Sequence, residues 1–176
     1  MKKFLTTILL LLIGCCVFAL EGKWVFPKNI TIYIPPNHRN STMMQHAFDR
    51  WTRASNQKIL FKNVYKPNLA QIKVEFVEKI DTMNRNELDK AIGLTRTQTL
   101  HHTKLVRATI YIADKTQDGK ILNRDEIFTT MIHEVGHAIG LNHTDNPKSV
   151  MYPGVNVIQE IEQSDVKTLY ALYGWQ

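Results

Sequence analysis

The pattern of hydrophobic and polar positions predicts one strand, then a helix, then four more strands before the most specific motif of the chain. Isoleucines at every second position predict a strand over Asn29–Ile34, which Pro35 and Pro36 end. Apolar residues at helical spacing predict a helix over Ser41–Ala54, with a core stripe of Met43, Met44, Ala47, Phe48 and Trp51. Four more strands are predicted at Ile59–Val64, Gln71–Glu78, Ala91–Gln98 and Arg107–Ala113. The pattern alone therefore gives the α+β class.

The most specific feature follows these strands, where the chain reads HEVGHAIGLNH. Helix residues four apart share one face, so His133 and His137 can reach a single ion. Gly140 can take the left-handed conformation that ends a helix, which turns the chain back and makes His143 the third ligand. Three histidines and an open fourth position are a ligand set of catalytic zinc. Glu134 is then the candidate general base.

Ordinary helix histidines are the alternative interpretation. At about 100° per residue the apolar side chains of this helix form one stripe: Ile127, Phe128, Met131, Val135, Ala138 and Ile139. His133, Glu134, His137 and Thr130 fall on the opposite side. A core histidine would point into the stripe, so the pattern favours the metal site.

The motif HExxHxxGxxH resembles the signature of the metzincin zinc peptidases. Ser149–Pro153 resembles their methionine turn, which lies beneath the metal and is here centred on Met151. Met151 followed by Tyr152 and Pro153 narrows the resemblance to the matrixins, the family of the matrix metalloproteinases and their bacterial relatives. Astacin-like and serralysin-like chains have a tyrosine at the position of Pro153. A bacterial matrixin is the member that the chain resembles most.

The resemblance extends to the C-terminal residues 163–174, which look like the closing helix of matrixins. Ser164 is the expected N-cap, and the expected buried stripe is Val166, Leu169, Tyr170 and Tyr173. By the resemblance, Asp165 braces the methionine turn. Alternatively, the negative charge of Asp165 in the first turn would simply stabilise the helix by interacting with its dipole.

The resemblance implies a twisted five-stranded mixed sheet over an active-site helix, with a closing C-terminal helix. It implies a monomeric endopeptidase with one catalytic zinc and a protein or peptide substrate. The substrate backbone would pair with the edge strand at Gly93 and Leu94. A pocket would accept an apolar substrate residue after the scissile bond. Thr129 would form the base of this pocket, and Pro153 would form one side of it. The alternatives are a zinc-stabilised binding module without turnover and a narrow protease with one target.

Two further metal sites are weaker hypotheses. Asp114, Asp118 and Asp125 are spaced somewhat like a Ca²⁺ loop, although a simple turn explains them as well. His101 and His102 lie where matrixins place ligands of a second, structural zinc. The family's His-x-Asp partner is missing between residues 81 and 90, so solvated histidines are the default, as for His38 and His46.

Residues 1–19 resemble an export signal, with two lysines, a short apolar run and small residues. Cleavage after Ala19 would leave residues 20–176 as one catalytic domain. A lipobox ending at Cys15 is the alternative, and a lipid there is the only membrane attachment we expect. Both cysteines lie in this segment, so we expect no disulfide framework in the domain. We also expect no inhibitory pro-domain between this segment and the first strand.

The net charge of the 176-residue chain is +6, and it becomes +4 without Lys2 and Lys3. Basic and acidic residues look intermixed, which is typical of a solvated surface. We therefore expect no nucleic-acid partner.

Overall fold

The computed structural model describes residues 22–80, 92–153 and 160–176, which contain six strands and three α-helices. In chain order they are β1 (Lys23–Trp24), β2 (Ile30–Tyr33), α1 (Ser41–Ala54), β3 (Phe61–Asn63), β4 (Ile72–Val77), β5 (Gly93–Leu100), β6 (Lys104–Ala113), α2 (Arg124–Ala138) and α3 (Gln163–Tyr173). The predicted export segment with Cys15 and the stretch 81–90 lie outside the described residues.

All six strands form one mixed sheet. Across it the order is β5-β6-β4-β2-β3, with β5 antiparallel to β6 and the other neighbours parallel. β1 runs parallel to the first two residues of β6. The α+β class and the mixed sheet are confirmed, but the prediction of five strands is wrong because a two-residue strand such as β1 carries no period to read.

The core lies between one face of the sheet and helices α1 and α2. The predicted stripe of α1 is confirmed, because all five of its residues are buried. Trp51 joins the two helices, since its indole Nε1 donates a hydrogen bond to the Ile132 carbonyl at 2.8 Å. The sheet adds alternate residues such as Ile30, Ile32 and Ile110 to the same core.

Helix α2 is buried on more sides than its sequence pattern predicts. The expected stripe is buried, with Phe128 partly so, but Thr129, Ile132, Glu134 and Gly136 are buried as well. β5 and the methionine turn cover the side that was expected to be polar. Asn123 and Glu126 form a reciprocal capping box that starts the helix.

The N-cap of helix α3 lies two residues earlier than expected, so the N-cap prediction for Ser164 is wrong. The N-cap is Glu162, which forms a capping box with Asp165. Ser164 instead accepts a hydrogen bond from Asn146 Nδ2 at 3.2 Å. Leu169 and Tyr173 are buried as expected, while Val166 and Tyr170 are half-buried. None of the helices in the described part of the chain is long and apolar enough to cross a membrane.

Candidate metal centre

Three histidine side chains converge at the C-terminal half of α2. Nε2 of His133 lies 3.0 Å from Nε2 of His137 and 3.2 Å from Nε2 of His143, and the third distance is 3.1 Å. Tetrahedral Zn²⁺ with bonds of about 2.05 Å needs nitrogens about 3.3 Å apart. The donor set therefore fits zinc. Among the described residues, this is the one group of His, Cys, Asp and Glu side chains close enough to share an ion.

The other nitrogen of two of these rings is fixed by a backbone carbonyl. His133 Nδ1 lies 2.7 Å from the Val150 carbonyl, and His137 Nδ1 lies 2.8 Å from that of Leu141. A carbonyl can only accept, so each Nδ1 carries the proton and each Nε2 presents a lone pair. Burial lowers the pKa of His133 to about 4 and that of His137 to about 3. Neutral imidazoles are the form that binds a metal.

The turn that brings back His143 depends on one glycine. α2 ends at Ala138, and Gly140 has φ = 104°, in the left-handed region that favours glycine. The Leu141 amide then donates to the Gly136 carbonyl at 3.0 Å. This geometry confirms the predicted role of Gly140.

The methionine turn packs directly beneath α2. Met151 is buried, and a Cβ built on Gly136 would collide with its sulfur atom and lie 3.0 Å from Trp51. Gly136 is therefore what lets Met151 approach the helix between His133 and His137. A glycine inside a helix costs about 1 kcal/mol, and that cost was the signal by which the sequence could have revealed this contact.

Asp165 connects helix α3 to the methionine turn, as the resemblance implied. The Ser149 hydroxyl donates to Asp165 Oδ1, and the Val150 amide donates to Oδ2 at 3.3 Å. Val150 in turn supplies the carbonyl that orients His133. A carboxylate on α3 thus fixes a ring on α2 through one turn.

The carboxyl group of Glu134 is buried against strand β5. The Thr95 hydroxyl lies 2.7 Å from Glu134 Oε2 and 3.0 Å from its backbone carbonyl. A Cβ built on Gly93 would lie 2.6 Å from Glu134 Oε1, so the glycine leaves room for the carboxyl. Burial raises the pKa of Glu134 to about 7, and the hydrogen bond from Thr95 partly opposes this rise.

Sequence reasoning missed Thr95, because its position follows from the register of β5 on β6. Thr95 is in register with Ile110, a core residue of β6. Neighbouring strands place aligned residues on the same face, so the hydroxyl of Thr95 had to face α2. Gly93 faces the same way and lies in regular pairing with Ile112, because the irregularity of β5 lies between Gln98 and Thr99.

Both ends of the described chain meet at the last turn of α2. Trp24 Nε1 donates to the Ala138 carbonyl at 2.9 Å, and the Tyr173 hydroxyl donates to the Ile139 carbonyl at 3.0 Å. The Trp24 amide donates to Tyr173 Oη at 3.3 Å. Helix carbonyls without partners in the helix are thus satisfied by side chains from β1 and α3.

The residues predicted to line a substrate pocket are only partly assembled in the described chain. Thr129 is 9% exposed, and its hydroxyl has no hydrogen-bond partner among the described residues. Leu94 is half-buried on β5, and Pro153 is exposed where the description stops before residue 160. The pocket itself therefore stays a prediction.

The two weaker metal hypotheses gain no support. Asp114 contacts Arg39 at 3.0 Å and Asn40 at 3.3 Å, while Asp118 pairs with the Thr116 hydroxyl and Asp125 lies in the first turn of α2. These carboxylates do not converge, so the described residues give no support to a Ca²⁺ loop. His101 and His102 are exposed in the tight turn between β5 and β6, with φ values of 50° and 60°.

Of the remaining histidines, one departs from the expected solvated loop position. His38 stacks on Phe76 with 3.9 Å between ring centroids, and its Nε2 lies 3.5 Å from Asp114 Oδ2. A ring packed between an aromatic and a carboxylate is not freely solvated, so that expectation is wrong. His46 is exposed, but it lies on helix α1 instead of in a loop.

Comparison with known families agrees with the geometry of the site. The family model described as Matrixin matches residues 23–174. The chain belongs to the matrixin family. Membership indicates the zinc-dependent metalloprotease class, and the described fold is consistent with it.

Individual matrixin relatives match over shorter stretches or at lower identity. Macrophage metalloelastase of Rattus norvegicus is 36% identical over 52 residues, 27% of this chain and 11% of that protein. Matrix metalloproteinase-20 of Homo sapiens is 39% identical over 56 residues, 30% of this chain and 12% of its own length. Probable matrix metalloproteinase 095L of Invertebrate iridescent virus 3 is 28% identical over 144 residues, 76% of this chain and 37% of its own length. The chain therefore spans only a minor part of each relative.

Proposed function

We propose that this matrixin is an exported zinc endopeptidase acting on protein or peptide substrates. The observation that carries the proposal is the convergence of three Nε2 atoms within 3.0–3.2 Å, one residue along α2 from a buried carboxyl. His133, His137 and His143 would hold one zinc ion. Zinc bound there would act as a Lewis acid that polarises the scissile carbonyl and acidifies a water molecule.

Glu134 acts in this proposal as the general base. It takes a proton from the attacking water and returns it to the leaving amine, so no covalent bond to the protein forms. Burial raises the pKa of the Glu134 carboxyl, which favours a group that must accept a proton before releasing it. The Thr95 hydroxyl and the gap at Gly93 keep the carboxyl in one place.

The substrate would lie along β5, which pairs only with β6 among the described strands. An extended peptide can add to such an edge through main-chain hydrogen bonds at Gly93 and Leu94. Thr129 and Pro153 would shape a pocket for an apolar side chain after the scissile bond. Burial of a Leu-sized side chain contributes about 1.5–3 kcal/mol, which is enough to set a preference.

The setting of the enzyme is part of the proposal. We propose a bacterial member that leaves the cytoplasm through residues 1–19 and is either cleaved after Ala19 or lipidated at Cys15. It works as a monomer, without a nucleic-acid partner. The two lysines and the short apolar run of residues 1–19 support the export part of this proposal.

Substitution of the base tests the proposal. Glu134→Ala should keep zinc but lose about 100–10,000-fold in kcat/KM on casein-derived peptides, because a general base commonly contributes that factor. His137→Ala, the matched control on the same helix, should lose zinc as well as activity. Zinc content by atomic absorption and initial rates are the measurements.

Two outcomes would contradict the proposal in different ways. Wild-type protein with zinc but no peptidase activity on any peptide mixture would indicate a zinc-stabilised binding module. A Glu134→Ala variant that cleaves at nearly the wild-type rate would show that another group serves as the base.

A further inference from the structure

Charge is divided unevenly along the chain, contrary to the intermixing expected from the sequence. Residues 22–74 contain nine Lys or Arg residues and a single acidic residue, Asp49, which is a net charge of +8. Residues 75–176 contain eleven basic and fourteen acidic residues, a net charge of −3. The positive charge therefore belongs to the elements from β1 to the start of β4.

Several of these cations have no acidic partner. Arg39, Arg50 and Lys73 are paired, with Asp114, Glu160 and Glu75 respectively. Lys28, Lys62 and Lys66 are exposed, and no carboxylate of the described residues lies within 4.0 Å of them. They lie in and beside β3, the strand at the far end of the sheet from β5.

Large apolar side chains are exposed beside these lysines. Phe26 is 76% exposed, Tyr65 84% and Val25 55%. Val25, Phe26, Lys28, Lys58 and Trp175 line one open groove of about 480 Å³. Lys58 Nζ lies 5.6 Å from the Trp175 ring centroid. Apolar and cationic groups thus share this groove. β3, which carries Lys62 and is followed by Tyr65 and Lys66, starts beside it, because the Leu60 amide donates to the Pro27 carbonyl at 2.9 Å. We name these neighbouring exposed groups the basic edge and define it as Phe26, Lys28, Lys58, Lys62, Tyr65 and Lys66.

We propose that the basic edge binds an anionic lipid surface. Lysines attract acidic headgroups, and neighbouring aromatic and aliphatic side chains enter the boundary between headgroups and acyl chains. A soluble polyanion would use the lysines but would leave Val25 and Phe26 in water. The combination of both kinds of side chain therefore favours a membrane.

The position of the basic edge along the chain supports this partner. β1 begins at Lys23, eight residues after Cys15, and eight extended residues span at most about 28 Å. A lipid on Cys15 would hold the basic edge within reach of the same membrane.

Vesicle sedimentation tests the proposal without any proteolysis, so its failure is distinct from that of the proposed function. All described elements and the core lie within residues 23–175, so the chain from Leu20 contains the whole domain and is the form to test. It should bind phosphatidylcholine vesicles that contain phosphatidylglycerol and not pure phosphatidylcholine vesicles. Binding should weaken as salt rises above about 0.1 M, where the Debye length is ~10 Å.

Matched variants distinguish vesicle binding through the basic edge from nonspecific adsorption. Lys62→Glu should weaken binding about fivefold or more, the effect of one cation near an anionic surface, and Phe26→Ser about tenfold. Lys148→Glu and Ile121→Ser, also exposed but outside the basic edge, should change it less than twofold. Thermal midpoints show that every variant is folded.

Three results would overturn the proposal. These are no binding to anionic vesicles by the wild-type chain, equal loss in the control variants, and binding to heparin with none to vesicles. The last result would identify a soluble polyanion as the partner.

Discussion

The two outer strands of the sheet differ in length, in packing and in what they expose. β5 has eight residues, and its Gly93 and Thr95 lie against Glu134 of α2. β3 has three residues, and it carries an exposed lysine at its centre. A short edge strand with lysine resists pairing with another strand, whereas a long one accepts it. The two edges of one sheet can therefore serve different partners. The β5 edge suits an extended peptide, and the β3 edge suits a contact made by side chains.

Substitution of Gly93 should break the β5 edge most severely. In Gly93→Ala the new Cβ would lie 2.5 Å from Thr130 Cγ2 and 2.6 Å from Glu134 Oε1. Displacement of the base should lower kcat/KM about 100-fold, the rate equivalent of ~3 kcal/mol of overpacking. Lys62→Ala on β3 is the control and should leave peptide hydrolysis unchanged. Equal rates for Gly93→Ala and wild type would mean that β5 does not position Glu134.

Loss of the Thr95 hydroxyl should have a smaller effect. Thr95→Val keeps the shape of the side chain but removes the hydrogen bond to Glu134, and kcat should fall about tenfold with KM within twofold. Thr95→Ser retains a hydroxyl and should recover most of the rate. Steady-state kinetics at constant zinc content measure both variants. A Ser variant as slow as the Val variant would assign Thr95 a packing role only.

Substitution of Thr129 on α2 should alter the sequence selectivity of cleavage more than its rate. If Thr129 floors the predicted pocket, Thr129→Arg should shift cleavage several-fold towards small residues after the scissile bond, since one methylene in an apolar pocket is worth about 1–3 kcal/mol. Cleavage profiling of a peptide mixture measures the shift. A preference identical to wild type would place the pocket elsewhere.

The smallest effect on peptide hydrolysis is expected at the basic edge. Phe26→Ser and Lys62→Glu replace exposed side chains, so hydrolysis of a soluble peptide should stay within about twofold and the free energy of unfolding within about 0.5 kcal/mol. Chemical denaturation and peptide kinetics are the measurements. A large loss of peptidase activity here would show that the two edges are coupled.

The parts of the fold and site that the sequence predicted are those encoded by local spacing. His133 and His137 are one turn apart on α2, and Gly140 ends that helix, so their arrangement needs only helix geometry. The five principal strands and α1 were likewise found from the local pattern. The strand ends are displaced by a few residues, whereas the bounds of α1 are as predicted.

The parts that the sequence could not predict depend on distant contacts. The all-round burial of α2 results from β5 and the methionine turn, which no pattern within the helix reveals. The interaction of Thr95 with Glu134 joins residues 39 apart and needs the register of β5 on β6. The excess of positive charge in residues 22–74 is visible in the sequence, whereas its place at the β3 end of the sheet follows only from the fold.

The caps on the last turn of α2 have a consequence for the order in which the protein matures. The bond from Trp24 to Ala138 joins residues 114 apart, and the contact of Trp24 with Tyr173 joins residues 149 apart. Contacts of such sequence separation form late in folding. A nascent chain therefore lacks the Tyr173 cap on α2 until α3 has been synthesised. The turn that leads to His143 gains all of these hydrogen bonds only after Tyr173 has been translated.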